Sequence, residues 1–94
     1  MRQARVDANQ TAIVRSLRDA KATVQHLHAV GQGCPDILVG YRGKNYLMEI
    51  KDGSKVPSAR AMTAPQIEWH NGWRGQVAVV TTVAEALAVL GIST

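Results

Sequence analysis

The spacing of hydrophobic and polar positions predicts helices and strands in the order helix, three strands, helix, strand, helix. From residue 7 onward, small and apolar residues recur three and four positions apart, which predicts a first helix ending at about Lys21. Asp7 or Asn9 can cap this helix. The stripe expected to face the core consists of Ala12, Ile13, Ser16, Leu17 and Ala20.

Residues 22–28 alternate in the manner of a strand, with His26 and His28 on one face. A zinc site would need further ligands, and Cys34 is the only thiol, so these histidines are expected to face phosphate or simply solvent. Residues 29–34 contain two glycines. They would let backbone amides approach a phosphate, or let the loop cross the end of the sheet without a Cβ clash.

The next two strands are predicted to form a β-hairpin. One runs from Asp36 to about Tyr41, the other ends at about Lys51, and a tight turn at residues 42–45 joins them. Gly43 supplies the backbone freedom that such a turn needs.

The rest of the chain predicts a helix, a short strand and a last helix. Thr63 and Gln66 form a capping-box pattern at the start of the first of these helices. Residues 76–81 have the β-branched character of a buried strand. Thr82 and Glu85 open the last helix with a similar pattern. The element order is that of an α/β protein.

The composition fits one folded domain spanning residues 1–94. Hydrophobic residues make up 46% of the chain and charged residues 19%, proportions that exclude a disordered protein. Because the chain has no Phe, Trp69 and Trp73 are expected to fill part of the core.

Charge and cysteine content indicate the class of binding partner and the cellular compartment. A net charge of +4 and a pI near 9.7 favour a polyanionic partner. The single Cys34 cannot form an internal disulfide, which points to a reducing cytoplasm, and no nearby base is placed to make it a nucleophile. No apolar run approaches the roughly 18 residues of a membrane span, and the basic start lacks the apolar core of a signal peptide, so neither a membrane anchor nor export is expected.

The hairpin register predicts a pair of carboxylates. Counting back from the turn, Asp36 lies beside Glu49 and Ile50 on the second strand. Glu49 stands among apolar residues, where a buried charge is costly without a cation. Carboxylate and carbonyl oxygens are ligands that Mg²⁺ accepts, and Lys51 would stand beside a metal-bound water. Each residue alone also fits a plain role at the start or edge of a strand, but the combination favours a cation site.

These residues resemble a known signature. Pro35-Asp36, followed by twelve residues and then Glu49-Ile50-Lys51, is similar to the motif of the PD-(D/E)XK nuclease superfamily. Residues 7–10, 31–36 and 63–66 add a resemblance to the VRR-NUC branch, whose stand-alone members occur in phages and prophages. The likeness covers nearly the whole chain.

The resemblance implies a restriction-endonuclease-like core, in which a mixed β-sheet is flanked by helices. It implies a Mg²⁺- or Mn²⁺-dependent DNA endonuclease with one or two ions per site and no small-molecule cofactor. Asp36, Glu49 and the carbonyl of Ile50 would hold the metal, and Lys51 would align the attacking water. It also implies a homodimer that acts on branched DNA, such as Holliday junctions, in replication, repair or recombination, within the cytoplasm of a bacterial or phage-infected cell.

The resemblance also assigns supporting residues. Gln66 and His70, four positions apart on one helix face, would reach toward the active site. An acidic residue on the first helix, here Asp7 with Gln10 one turn on, would lean over the metal, although Asp7 can equally serve as an N-cap. The candidates for contacts to nucleic acid are polar or basic residues of the lead, of the loop after Lys51 and of the later helix: Arg2, Arg5, Ser54, Lys55, Ser58, Arg60 and His70.

Two other functions remain open from the sequence. One is a nucleic-acid-binding subunit that keeps a nuclease-like fold without cutting. The other is an RNA-directed or restriction-like nuclease, although the chain has no module large enough to read a specific sequence.

Overall fold

The strands form one mixed sheet in the order β1-β2-β3-β4, in a computed structural model that describes residues 8–53 and 61–93. β1 and β2 pair antiparallel, as do β2 and β3, whereas β3 and β4 pair parallel. The elements are α1 (Ala8–Asp19), β1 (Thr23–His26), β2 (Ile37–Tyr41), β3 (Lys44–Ile50), α2 (Ala64–Gly72), β4 (Ala78–Val80) and α3 (Val83–Val89). The predicted element order is confirmed.

The β2–β3 hairpin closes through a shorter turn than the sequence suggested. Arg42 and Gly43 both have positive φ, 50° and 79°, as a two-residue hairpin turn of the favoured hand requires. The residues after them are already paired, Lys44 with Tyr41 and Asn45 with the strand before the turn. The predicted turn at residues 42–45 is therefore too long by two residues.

Alternation along the strands gives the sheet two different faces. The inner face packs its apolar side chains with α1 and α3 in one core cluster, which includes Ile13, Leu17, Ile37, Val39, Met48, Ile50, Val80, Ala86 and Leu90. The outer face carries the alternate positions of the hairpin: Asp36, Leu38, Asn45, Leu47, Glu49 and Lys51. The chain crosses from β3 to β4 through α2, which lies over the outer face.

Several element details differ from the prediction. β1 and β4 are shorter than residues 22–28 and 76–81, and α1 ends at Asp19, with Lys21 in the left-handed region at φ 75°. The buried stripe of α1 includes Gln10 and Val14 beside Ile13 and Leu17, whereas Ala12 is exposed. In the last helix Thr82 caps as predicted, and the Glu85 carboxylate also accepts from the backbone N–H and the hydroxyl of Thr81.

The expectation that both tryptophans fill the core is wrong. α2 has no buried residue, Trp69 is half-buried, and 44% of Trp73 is exposed. The aliphatic residues of the inner face and of α1 and α3 fill the core without them. No helix within residues 8–53 and 61–93 is long and apolar enough to cross a membrane.

Gly33 sets the position of α2 against the loop that precedes the hairpin. Its φ is +82°, and a Cβ at this position would overlap the Pro65 carbonyl oxygen and crowd the Gln66 backbone nitrogen. Gly31 also has a positive φ, +72°, but has open space where its Cβ would lie. Only Gly33 therefore combines a backbone requirement with a packing requirement.

The pair of glycines allows a matched test. Gly31→Ala should cost about 1 kcal/mol of unfolding free energy through backbone strain alone. Gly33→Ala should cost a similar amount plus about 1–3 kcal/mol, because α2 must shift away from the new methyl group. Urea denaturation of both variants measures the difference, and equal losses would contradict the proposed contact.

Candidate active site

The hairpin register brings two carboxyl groups to the same end of the outer face. The Asp36 backbone N–H donates to the carbonyl of Met48 at 3.1 Å, just before the paired strand begins with Ile37 opposite Met48. The Asp36 carboxylate accepts from the Ile50 backbone N–H at 2.7 Å. Asp36 therefore lies beside Ile50, and its carboxyl group contacts that of Glu49. Since the N–H and C=O of one strand residue point to the same side, the Ile50 carbonyl also faces Asp36.

Glu49 is a buried carboxyl group with one oxygen satisfied and the other not. The residue is 1% exposed. Its Oε2 accepts from the Gln66 amide at 3.1 Å and lies 3.7 Å from the Lys51 ammonium. Its Oε1 lies 3.9 Å from His70 Nε2, and neither of these two atoms has a hydrogen-bond partner within residues 8–53 and 61–93. A buried polar atom without a partner is rare and costly, so this oxygen marks a place for a ligand.

The surroundings of Glu49 disfavour its negative charge. Burial raises the pKa of Glu49 to about 8, together with the charge of Asp36 and a hydrogen bond between the two side chains, and the nearby Lys51 ammonium only partly opposes them. Without a further cation, these surroundings favour the protonated form of the carboxyl group over the charged form. A divalent cation between the two carboxyl groups would supply the missing positive charge.

Gln66 connects the start of α2 to both charged groups of the site. Its Oε1 accepts from the Thr63 backbone N–H at 2.9 Å and from the Lys51 ammonium at 2.7 Å. The Thr63 hydroxyl accepts from the Gln66 backbone N–H, which completes the predicted capping box. With Oε1 committed to these donors, the amide N–H₂ must point toward Glu49. One side chain thus caps the helix and orients Glu49 and Lys51.

Asn9 has a role that the sequence reasoning missed. It lies inside α1 and does not cap it, and its amide donates to the Lys51 carbonyl at 3.0 Å and to the Thr81 carbonyl at 3.2 Å. It therefore ties together the ends of β3 and β4 beside the site. The hint in the sequence is an amide residue beside the apolar stripe at the start of a helix, but the same pattern also fits an N-cap.

The structure brings some of the predicted site residues together and places others elsewhere. Asp36, Glu49, Ile50, Lys51, Gln66 and His70 converge at one end of the outer face. The buried Gln10 amide reaches His26 Nδ1 at 3.5 Å, on the neighbouring strand β1. The remaining predicted residues lie outside the described ranges: Arg2, Arg5, Asp7, Ser54, Lys55, Ser58 and Arg60.

The donor set fits a hard divalent cation that retains much of its water. Within the described residues, no three or more His, Cys, Asp or Glu side chains are grouped as metal ligands, so the site offers two carboxyl groups and the Ile50 carbonyl. Mg²⁺ is commonly held by one or two carboxylates with water in the other positions. The partnerless Glu49 Oε1 is the observation that such an ion would explain.

Cys34 lies near this site but is poorly suited to attack. Burial, followed by the charges of Glu49 and Asp36, raises the pKa of its thiol. The nucleophilic form of cysteine is the thiolate, which these surroundings disfavour.

Comparison with solved structures shows the fold. The chain is similar to a structure described as a VRR_NUC domain, with a TM-score of 0.63 and 23% sequence identity, over 87% of this chain and 89% of that one. No protein-family model matches the chain, and no curated protein matches it. The resemblance to the VRR-NUC fold, with its mixed sheet flanked by helices, is confirmed.

The raised pKa of Glu49 predicts how the stability of the metal-free protein depends on pH. Because the pKa of about 8 in the folded state exceeds the ordinary value of 4.5, the folded state binds more protons between these values. The contribution of the Glu49 carboxyl group to the free energy of unfolding is fully present below about pH 4.5 and is lost as the pH rises toward 8. Glu49→Gln should remove this dependence and stabilise the metal-free protein at pH 8 by at least about 1 kcal/mol.

Urea denaturation in EDTA between pH 5 and pH 8 measures the effect. Glu85→Gln is the matched control, because hydrogen bonds from Thr81 lower the pKa of Glu85 and place its titration below this range. A parent protein whose stability does not fall between pH 5 and pH 8 relative to Glu49→Gln would contradict the buried, charge-disfavouring setting of Glu49.

Proposed function

We propose that the protein is a divalent-metal-dependent nuclease that hydrolyses phosphodiester bonds in DNA. The observation that carries this proposal is the buried Glu49 beside Asp36, with one oxygen lacking a partner and the Lys51 ammonium alongside. The similarity of the fold to that of a VRR_NUC domain supports the same proposal.

Asp36, Glu49 and the Ile50 carbonyl are the residues that would hold Mg²⁺ or Mn²⁺, as one ion or two. When bound, the metal supplies Lewis-acid stabilisation of phosphate charge and a water of lowered pKa. Asp36 is already oriented by the Ile50 N–H, and Glu49 by the Gln66 amide. The two carboxyl groups would therefore need little rearrangement to act as ligands.

Lys51 is the residue placed to handle the attacking water and the developing charge. Its ammonium is held at 2.7 Å by Gln66 and lies 3.7 Å from Glu49, so two contacts fix its direction. An ammonium in this position can orient the water and stabilise negative charge on a phosphate oxygen. Attack by water in line with the 3′-oxygen would leave a 5′-phosphate, as in related nucleases.

The surface charge and the position of β1 both bear on how DNA would bind. The net charge of +4 includes the acids of the site, so the rest of the surface is more basic than this total. The end of β1 adjoins Asp36, because Leu27 donates its N–H to the Asp36 carbonyl, whereas His26 faces α1 and contacts Gln10. DNA could therefore extend from the carboxyl groups across β1.

We further propose branched DNA as the substrate, a homodimer as the working form, and the cytoplasm as its location. A chain of 10.2 kDa offers little surface for recognising a junction, and a two-fold dimer would present two sites to it. Light scattering should give about twice the chain mass at working concentrations. A mass near that of one chain would count against the dimer.

Cleavage assays test the proposal directly. Purified protein should cut labelled linear, nicked or four-way-junction DNA in Mg²⁺ or Mn²⁺ and not in EDTA. Asp36→Asn and Lys51→Ala should each lower the rate by at least about 100-fold while DNA binding is largely kept. Asp19→Asn and Lys44→Ala change exposed residues of the same types outside the site and serve as matched controls.

Each contrary outcome has a distinct meaning. Cutting that persists in EDTA would overturn the metal-dependent mechanism. Binding of DNA without any cutting, under every metal condition, would favour the alternative of a non-cleaving nucleic-acid-binding subunit. Cutting of RNA in preference to DNA would favour the RNA-directed alternative.

A further inference from the structure

A cavity of about 220 Å³ lies on the outer face of the sheet, beside the candidate active site. It is lined by Leu38, Asn45, Leu47, Trp73 and Gln76. Pockets for drug-sized ligands start at roughly 300 Å³, so this cavity suits a single flat ring system. We call it the Trp73 cavity.

The Trp73 cavity lies next to the carboxyl groups along the two strands of the hairpin. Leu38 and Leu47 are a cross-strand pair of the hairpin, and each lies two residues from a carboxyl group of the site. Residues two apart share a face and are about 7 Å apart along a strand. A nucleotide next to a phosphate held at Asp36 and Glu49 could therefore reach the cavity.

The indole of Trp73 is held in a fixed position. Trp69 stacks on it with a centroid distance of 4.6 Å and an interplanar angle of 18°. Its N–H donates to the Gln76 carbonyl at 3.0 Å. The Gln76 amide in turn pairs with the Leu47 backbone, accepting from its N–H at 2.7 Å and donating to its carbonyl at 3.1 Å. The ring is therefore anchored to the same strand that carries Glu49.

α2 links this wall of the cavity to the site. Gln66, Trp69 and His70 lie on one face of the helix, and Trp73, its C-cap, follows seven positions after Gln66 and continues this stripe. Its first member contacts Glu49 and Lys51, and its last lines the cavity. Trp73 is not part of the core, and 44% of its surface is exposed. It therefore presents an ordered aromatic surface beside the site.

The chemistry of the cavity favours a neutral, flat group over a phosphate. The lining residues are two leucines, a tryptophan and two amides, with no charged side chain among them. Aromatic and aliphatic surfaces stack on the faces of nucleobases, and an amide such as the exposed Asn45 can pair with a base edge. A base inside a duplex is already stacked and paired, so only an unpaired base could enter.

We propose that the Trp73 cavity binds an unpaired nucleobase of the DNA, next to the phosphate that is cut. This inference rests on the proposed nuclease function and defines the substrate more closely, as DNA that offers an unpaired base at the cleavage point. The protein selects structure through this base without reading a sequence.

The test combines a change in the protein with a change in the DNA. A flap substrate with unpaired bases at the mapped cleavage point is compared with copies carrying an abasic residue at each of these positions, and with fully paired nicked DNA. In Mn²⁺, Trp73→Ala should raise the KM for the intact flap by roughly tenfold and leave the KM for paired DNA unchanged. One abasic position should have the same effect on the parent protein and no added effect on Trp73→Ala.

Trp73→Phe should largely retain the parent KM because it keeps an aromatic face. Ile67→Ala removes another exposed apolar side chain of α2, 49% exposed and off the stripe, and should change nothing. If Trp73→Ala does not fold, as judged by circular dichroism, the abasic series on the parent protein decides alone.

The outcomes separate the two proposals. If the parent cuts the flap but no abasic position changes its KM, the proposed base pocket is contradicted and the proposed nuclease function is retained. Equal losses for Trp73→Ala on intact, abasic and paired DNA would also overturn the pocket, because a structural role alone would produce them. A parent that cuts none of these DNAs overturns both proposals.

Discussion

The burial of the Glu49 carboxyl group beside that of Asp36 is the constraint on which the rest of the site depends. Two acids at one end of a sheet need donors and positive charge, and the structure supplies them through Gln66 and Lys51. One oxygen of Glu49 is still without a partner in the described residues. The arrangement costs stability in the metal-free protein, which is expected where a protein is organised for binding and not for packing.

This constraint also explains how α2 is attached. No residue of the helix is fully buried, so apolar packing contributes little to holding it over the sheet. Its contacts include the Gln66 side chain on Glu49 and Lys51 at one end and the close approach of Gly33 to its first turn. At the other end Trp73 donates to Gln76, whose side chain pairs with the Leu47 backbone. Asn9 adds a tie from α1 to the ends of the two central strands. Polar contacts therefore align the helix with the site.

The sequence predicts those parts of the structure that follow from local rules. Alternation and a turn glycine specify the hairpin, and its register ends with Ile37 opposite Met48, which brings Asp36 close to Glu49 and Ile50. The capping box at Gln66 is likewise local. The exposure of Trp73 and the reach of Asn9 to two strands depend on how distant elements pack, and neither periodicity nor propensity contains that information.

A crystal structure with bound Mn²⁺, located by its anomalous scattering, would show whether the two carboxyl groups share an ion. We expect the ion about 2 Å from carboxylate oxygens of Asp36 and Glu49 and from the Ile50 carbonyl, with water completing its shell and Lys51 close to one of these waters. An ion bound elsewhere, or a saturating Mn²⁺ soak that leaves Glu49 Oε1 without any partner, would contradict this expectation.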